Sequence, residues 1–295
     1  MKKAFLQLHI AVLLAGFTGI LGRLITLNEG LLVWYRLFIT VITLWIFFFF
    51  TRKIKRIPFG EMMRIFGVGF IAAMHWVTFY GSIKYANVSV ALVCFSAIGF
   101  FTALLEPLLL KKKFSWQEIL LGIMVMAGIY LIFHFDPEYK TGIIIGITSA
   151  LLGCLFPIFN RSFLERHSSE TVTLYELTGG LVTLSLLMPF YLKLFDADHY
   201  LPTVPDFLWL LVLAWFCTVL AFQLAMNALR KISAFTVNLS YNLEPLYGIL
   251  LAFVVYKENK YLGPSFYAGL GLILLSVVLQ SLRVYRQRRT PSYHL

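Results

Sequence analysis

Of the 295 residues, 60% are hydrophobic and only 13% are Asp, Glu, Lys or Arg. That is about half the charge density that covers a soluble domain, so most of the chain must face lipid. The net charge of +11 does not point to a nucleic-acid binder, because the basic residues stand in short clusters between apolar runs, such as Arg52-Lys53-Ile54-Lys55-Arg56 and Lys111-Lys112-Lys113. Membrane loops carry such clusters, whereas phosphate-tracking surfaces carry stripes.

A helix crosses the hydrocarbon core with about 20 mostly apolar residues. The segments 5–24, 30–51, 60–81, 87–110, 116–134, 141–160, 171–192, 207–228, 234–255 and 262–282 meet that requirement, which predicts an all-α membrane protein with ten transmembrane helices. The first span follows Lys2-Lys3 and has the outline of a signal peptide. No small-residue cleavage site comes after it, so it reads as an uncleaved first helix. Breakers and charges separate the spans: Asn28-Glu29-Gly30, Pro58, Asp136-Pro137-Glu138, and the stretch from Asp196 to Pro205. Pro107, Pro157 and Pro245 fall inside spans and are expected to break or kink them. Cys94, Cys154 and Cys217 also fall inside spans, without the spacing of a disulfide framework or a zinc site. Neither a metal nor a cofactor is expected.

The basic clusters at Lys2-Lys3, 52–56, 111–113, Arg161 and Arg166, Arg230-Lys231 and 283–289 all fall on one side of this arrangement. The other side holds scattered residues: Arg23, Lys84, Lys140, Lys193, Lys257 and Lys260. The bias predicts both termini, with the short basic tail 284–295, on the cytoplasmic side of the plasma (bacterial inner) membrane.

The chain also matches itself at an offset of about 146 residues: Ser82-Ile83-Lys84-Tyr85-Ala86-Asn87 aligns with Ala228-Leu229-Arg230-Lys231-Ile232-Ser233. Residues 1–135 and 140–283 then form two repeats of five helices. Because five is odd, the second enters the membrane inverted, and inverted repeats place a substrate site near the midplane between them. The second repeat, with Ala228 to Ala234, Glu244-Pro245, Lys257-Glu258, Gly263 and Gly269-Leu270-Gly271, resembles an EamA domain. The first is similar to a weaker copy, carrying Arg36, Ser82 to Ala86, Gly122 and Gly128, with Gly99 in place of Pro245 and Lys112 in place of Glu258. Two tandem copies are the arrangement of the drug/metabolite transporter superfamily. The resemblance implies a basket-like fold, alternating access, and export or uptake of small metabolites ranging from amino acids to nucleotide-sugars.

Ionisable side chains in mid-bilayer are costly unless they find a partner or line a cavity, so each is a functional candidate. Glu244 lies about ten residues, or about 15 Å, into the ninth span, with Ser240, Tyr241, Tyr247 and Gly248 within one turn. Pro245 frees the carbonyl of Tyr241, so this stretch can coordinate a substrate ammonium or hold a proton; the alternative is a protonated glutamic acid bonded to a neighbouring helix. Asn238 and Asn242 on an adjacent face, with Gln223 and Asn227 in span 8, are candidates for substrate contact or for helix–helix amide bonds. His75 can carry a proton or meet a substrate carboxylate, or sit neutral in the core. Arg36 and its repeat mate Glu176 lie near opposite membrane faces, where each can serve a gate or a structural contact. Glu106-Pro107 looks like a twin of Glu244-Pro245 but falls off the repeat register, and pairing with the Lys111–Lys113 cluster is the simpler reading. Phe47 to Phe50 read as lipid-facing bulk, and Gly67 with Ala72, Gly99 with Ala103, and Gly142 with Gly146 read as close helix contacts.

No Asp-rich motif, metal spacing, nucleophile elbow, nucleotide-binding loop or selectivity-filter sequence occurs. The expectation is a secondary transporter, not an enzyme. It would move an amino acid, related metabolite or drug-like compound, as a monomer or homodimer, with proton coupling an open option. Spans 3, 4, 8 and 9 are expected to line the cavity. The alternative is a polytopic enzyme or assembly factor working on lipid- or isoprenoid-linked substrates, with a channel as a further rival.

Overall fold

The computed structural model describes residues 2–135, 137–232, 234–241 and 243–289. The first half comprises α1 (Lys2–Leu24), α2 (Glu29–Phe50), α3 (Phe59–Tyr85), α4 (Val88–Phe95), α5 (Ile98–Leu110) and α6 (Trp116–Phe135). The second comprises α7 (Lys140–Leu164), α8 (Ser169–Leu194), α9 (Val204–Ala214), a π-helical turn (Trp215–Leu220), α10 (Ala221–Leu229), α11 (Ala234–Tyr241), α12 (Glu244–Tyr256) and α13 (Pro264–Arg289). Among the described residues there is no strand.

Among the described residues seven helical stretches are long and apolar enough to cross a membrane: α1, α2, α3, Val88–Leu110, α7, α8 and Val204–Leu229. Trp116–Ile132, Glu244–Tyr256 and Pro264–Gln280 are shorter apolar helices. The chain is a multi-pass membrane protein. Polar residues set the helix starts. Asn28 accepts from Leu31 N at the start of α2, and Asn87 does the same from Val90 N at α4. Thr203 and Asp206 form a reciprocal capping box ahead of α9.

Within α2 the helical period separates the faces. Leu37, Val41, Leu44 and Phe48 point inward, while Phe38, Ile42, Ile46 and Phe49 are exposed. The Phe47–Phe50 run is therefore lipid-facing except at Phe48, which is 3% exposed.

Lipid offers no hydrophobic drive between helices, so association depends on close packing of small residues and on polar contacts. Helix α3 packs along α7 and α8, α6 along α13, and α1 along α10 and α12. At the α3–α8 contact a Cβ on Gly69 would lie 1.9 Å from the Glu176 carbonyl oxygen, so the two backbones touch. Gly128 and Gly269 make the same kind of approach between α6 and α13. Gly142 and Gly146 are close contacts as expected, but a Cβ on Gly67 would meet nothing within 4 Å. Gly67 therefore takes no part in the contact that Gly69 makes.

The proline expectations divide. Ahead of Pro245 the helix does break, at the turn residue Leu243. Pro157 lies inside α7 and Pro107 inside α5 without ending either helix. The fourth span instead breaks at Ser96-Ala97, where no proline stands.

Candidate functional site

A central cavity opens where the broken and irregular helices meet, with about 820 Å³ of space between its walls unfilled by protein atoms, its open mouth included. Arg36, His75, Asn160, Tyr241 and Glu244 supply its main polar groups, and Trp76, Phe79, Phe95, Phe156 and Phe222 supply aromatic walls. The lining residues come from α1, α2, α3, α4–α5, α7, α9–α10 and α11–α12. Helices α1, α2 and α7 thus join the segments 60–81, 87–110, 207–228 and 234–255 expected to line it.

Arg36, 2% exposed, is held on three sides. Its Nε donates to Thr218 Oγ1 at 2.7 Å, Nη1 to the Tyr80 hydroxyl at 2.9 Å, and Nη2 to the Cys217 carbonyl at 3.3 Å. The guanidinium lies 4.0 Å from the centre of the Trp76 ring, a cation–π geometry that retains the charge in an apolar wall. Two of these acceptors belong to the π-helical turn, where the Thr218 hydroxyl itself donates five residues back to Leu213 O at 2.9 Å. Such turns gather at functional sites. Among the described residues no carboxylate forms an ion pair with Arg36. Three of its five N–H groups are used in these described hydrogen bonds.

His75 has its Nδ1 3.0 Å from Ser149 O and 2.9 Å from Ser149 Oγ. A carbonyl can only accept, so Nδ1 carries the hydrogen and the neutral ring keeps Nε2 as an acceptor. Gly153 makes room for this ring, since a Cβ there would lie 3.1 Å from Nδ1. Glu244, 5% exposed, starts α12 at the helix break. Because Pro245 lacks an N–H, the Tyr241 carbonyl one turn earlier has no helical donor. Glu244 and Tyr241, on either side of this break, thus line the cavity together with Arg36.

Other candidates lie elsewhere. Gln223 donates to Asn227 at 3.3 Å within α10 and does not line the cavity. Asn242, and the side chain of Asn238, lie outside the described residues. Glu106 pairs with Lys112 at 2.9 Å, the simpler of its two readings. Glu176 accepts from Asn160 Nδ2 at 2.8 Å, away from Arg36. Arg36 lies on the cavity wall, not at the end of the bundle.

The end of the bundle that carries the α1–α2 connection is tied together by residues outside the candidates above. Glu258, 3% exposed, pairs with Arg23 and accepts from Ser89 N at 2.9 Å and Ser89 Oγ at 2.5 Å. Asp206 accepts from Thr26 N and Thr26 Oγ1, both at 2.8 Å. At the opposite end Glu61 pairs with Arg166 and His167, and Arg161 donates to the carbonyls of Leu229 and Ile232. Asn160 carried the same signal as Glu176, an amide inside an apolar span; Trp76 and the π turn carried none.

Comparison with known proteins supports one family. The model of the EamA-like transporter family matches residues 2–134 and 140–282. An uncharacterized transporter of Haemophilus influenzae is 20% identical over 254 residues, covering 82% of this chain and 79% of that protein. One from Helicobacter pylori strain J99 is 24% identical over 259 residues, covering 85% and 84%. A solved crystal structure superposes with a TM-score of 0.70 at 18% identity, spanning 98% of this chain and 100% of its own. At that identity the likeness concerns the fold.

Proposed function

We propose that this chain, which belongs to the EamA-like transporter family, is a secondary transporter that carries a small zwitterionic or anionic metabolite, such as an amino acid or a relative, across the inner membrane by alternating access. The observation that carries the reading is the buried Arg36, unpaired by any described carboxylate, on a cavity wall that also presents His75 and Glu244. A substrate carboxylate meets the two unused N–H groups of Arg36, and an ammonium meets Glu244 and the Tyr241 carbonyl. The aromatic walls hold the apolar remainder.

Ten spans in two inverted repeats, 1–135 and 140–283, supply the moving halves. The seven long helices and three shorter apolar ones support that count. The pairing of elements supports the repeat. Both central helices are interrupted at matching positions, α4–α5 at Ser96-Ala97 and α11–α12 at Leu243, and both end in a left-handed lysine, Lys111 and Lys257. Helix α3 packs on α7 and α8 while α9 and α10 pack on α2 and α1. Glu61 at the start of α3 bonds the α7–α8 connection, and Asp206 near the start of α9 bonds the α1–α2 connection. The lysine and arginine clusters support both termini being cytoplasmic. On this reading the Arg23–Glu258–Ser89 clamp closes the outer end and Arg161 anchors the hinge between α10 and α11 at the inner end.

The test is flux of labelled amino acids into liposomes containing the purified protein. Uptake above protein-free vesicles, lost on Arg36→Gln, is the expected result. No flux across the panel, together with turnover of membrane lipid by the same sample, would replace the transporter with the membrane-enzyme reading.

A further inference from the structure

Among the described residues six acidic side chains are buried: Glu29, Glu106, Glu176, Asp206, Glu244 and Glu258. Four of them are served by cations or hydroxyls: Glu29 by Tyr191, Glu106 by Lys112, Asp206 by Thr26 and Thr203, and Glu258 by Arg23 and Ser89. Glu244 faces the cavity. Glu176 is different. It is 0% exposed, it does not line the cavity, and its one described hydrogen bond comes from Asn160 Nδ2 at 2.8 Å.

Among the described residues no ionised neighbour compensates it. Helices α2, α3, α7 and α10 pack against α8. On α2, Glu29 is bonded to Tyr191, Tyr35 to the Tyr200 carbonyl, and Arg36 to the π turn. On α3, Glu61 holds Arg166, His75 holds Ser149, Tyr80 accepts from Arg36, and Lys84 reaches the Leu27 carbonyl; Arg64 and Tyr85 are exposed. On α7, Lys140 is exposed, Cys154 donates to Leu151 O and Arg161 caps α10. Helix α10 carries no charge. On α8 itself, Glu170 pairs with Lys53, Tyr175 donates to Lys55 O, Tyr191 donates to Glu29, and Lys193 is exposed. A carboxylate this isolated costs several kcal/mol, so Glu176 holds a proton in this conformation.

Its surroundings are suited to giving that proton up. Glu176 Oε1, Thr173 Oγ1, Ser169 Oγ and Asn160 Oδ1 are all buried oxygens without a hydrogen-bond partner. Residues 169, 173 and 176 are spaced by four and three, which puts them on one face of α8. The line starts at the first residue of the helix and ends beside Asn160, which is on the cavity wall. An amide rotated by 180° offers an N–H to a carboxylate or an oxygen to a carboxyl, so Asn160 serves both protonation states. Gly69 of α3 touches the backbone of Glu176 itself. Any repacking of α3 on α8 during alternating access therefore changes what surrounds this carboxyl.

We propose that Glu176 is the proton-binding site that couples transport to a proton gradient. Asn160 is its positioning residue toward the substrate cavity, and Thr173 and Ser169 form its path to the cytoplasmic face. The step is the breaking of the carboxyl O–H bond with transfer of the proton to water, leaving a carboxylate bonded by Asn160, and its reversal on the other side. The proposal rests on the transporter reading and moves the proton off Glu244.

Two measurements test it. Infrared difference spectra between acidic and alkaline samples of the purified protein need no substrate. A protonated-carboxyl band that disappears with alkali in wild type and in Glu244→Gln, but is absent from Glu176→Gln, is expected. A band that survives in Glu176→Gln and vanishes in Glu244→Gln overturns the assignment. Should Glu176→Gln fail to fold, Glu176→Asp must shift the midpoint of the band; an unchanged midpoint overturns it equally. In liposomes, with a mixture of carbon-14-labelled amino acids as probe, Glu176→Gln should exchange label at the wild-type rate yet lose accumulation driven by a pH gradient. Gradient-driven accumulation at the wild-type level in that variant rejects the proposal. Wild-type vesicles that move no label would remove the substrate reading while the infrared band still decides the proton site.

Discussion

Two glycines two residues apart on α3 give opposite expectations for the same substitution. In Gly69→Ala the new methyl carbon would stand 1.9 Å from Glu176 O and 2.7 Å from Gly180 N. Both are backbone atoms of α8, so no side chain can rotate away. Restoring the shortest ordinary contact of 3.4 Å requires the two helices to part locally by about 1.5 Å. Overpacking of a tight core costs about 1–3 kcal/mol, and a backbone clash along the long α3–α8 contact belongs at the upper end. Gly67→Ala meets nothing within 4 Å. It removes the helix penalty of glycine, about 1 kcal/mol in soluble helices, and should be neutral or slightly stabilising. Thermal unfolding of the two purified variants in the same detergent measures the difference. A clear fall in Tm for Gly69→Ala with an unchanged or raised Tm for Gly67→Ala is expected. Equal Tm values would refute the claim that α3 and α8 pack backbone to backbone at Gly69.

Other consequences are as direct. Arg36→Lys keeps the charge, but one ammonium cannot span Thr218, Tyr80 and the Cys217 carbonyl; hydrogen bonds to charged groups contribute about 1.5–3 kcal/mol, so KM should rise about ten- to hundredfold. An unchanged KM in liposome uptake would remove Arg36 from the substrate site. Glu258→Gln weakens the clamp with Arg23 and Ser89, and should expose the cavity-lining Cys217 to a membrane-impermeant thiol reagent added from outside; labelling no faster than wild type would mean that this clamp does not close the outer end. Asp206→Ala deletes the α9 capping box and strands Thr26 N, a loss of about 1–2 kcal/mol that a Tm measurement should register.

The sequence was most informative where the physics is one-dimensional. Hydropathy is a property of a segment, so the apolar stretches and their breakers could be read directly, and so could the isolation of Arg36, His75, Glu176 and Glu244 within them. Family membership was legible for the same reason, since Glu244-Pro245 and the junction at 228–234 are local strings. Glu106 was assigned to the nearby lysines from spacing alone, and Lys112 is its partner.

What the residues did not reveal depends on the rotation of one helix against another, which a shift of one position alters by about 100°. Gly67 and Gly69 are alike in composition, yet only Gly69 faces α8. The depth of Arg36 in its segment leaves a gate and a structural contact both open. The direction of its side chain, toward Thr218, Tyr80 and Trp76 on two other helices, was set by the packing of α2. The same holds for Asn160 and Glu176, whose contact brings together two polar residues that each looked solitary. Sequence alone established that this is a membrane-embedded EamA-type chain and which polar residues were costly enough to matter. Tertiary packing decided which of them share a cavity and which is sealed away beside it, because burial and pairing arise between helices.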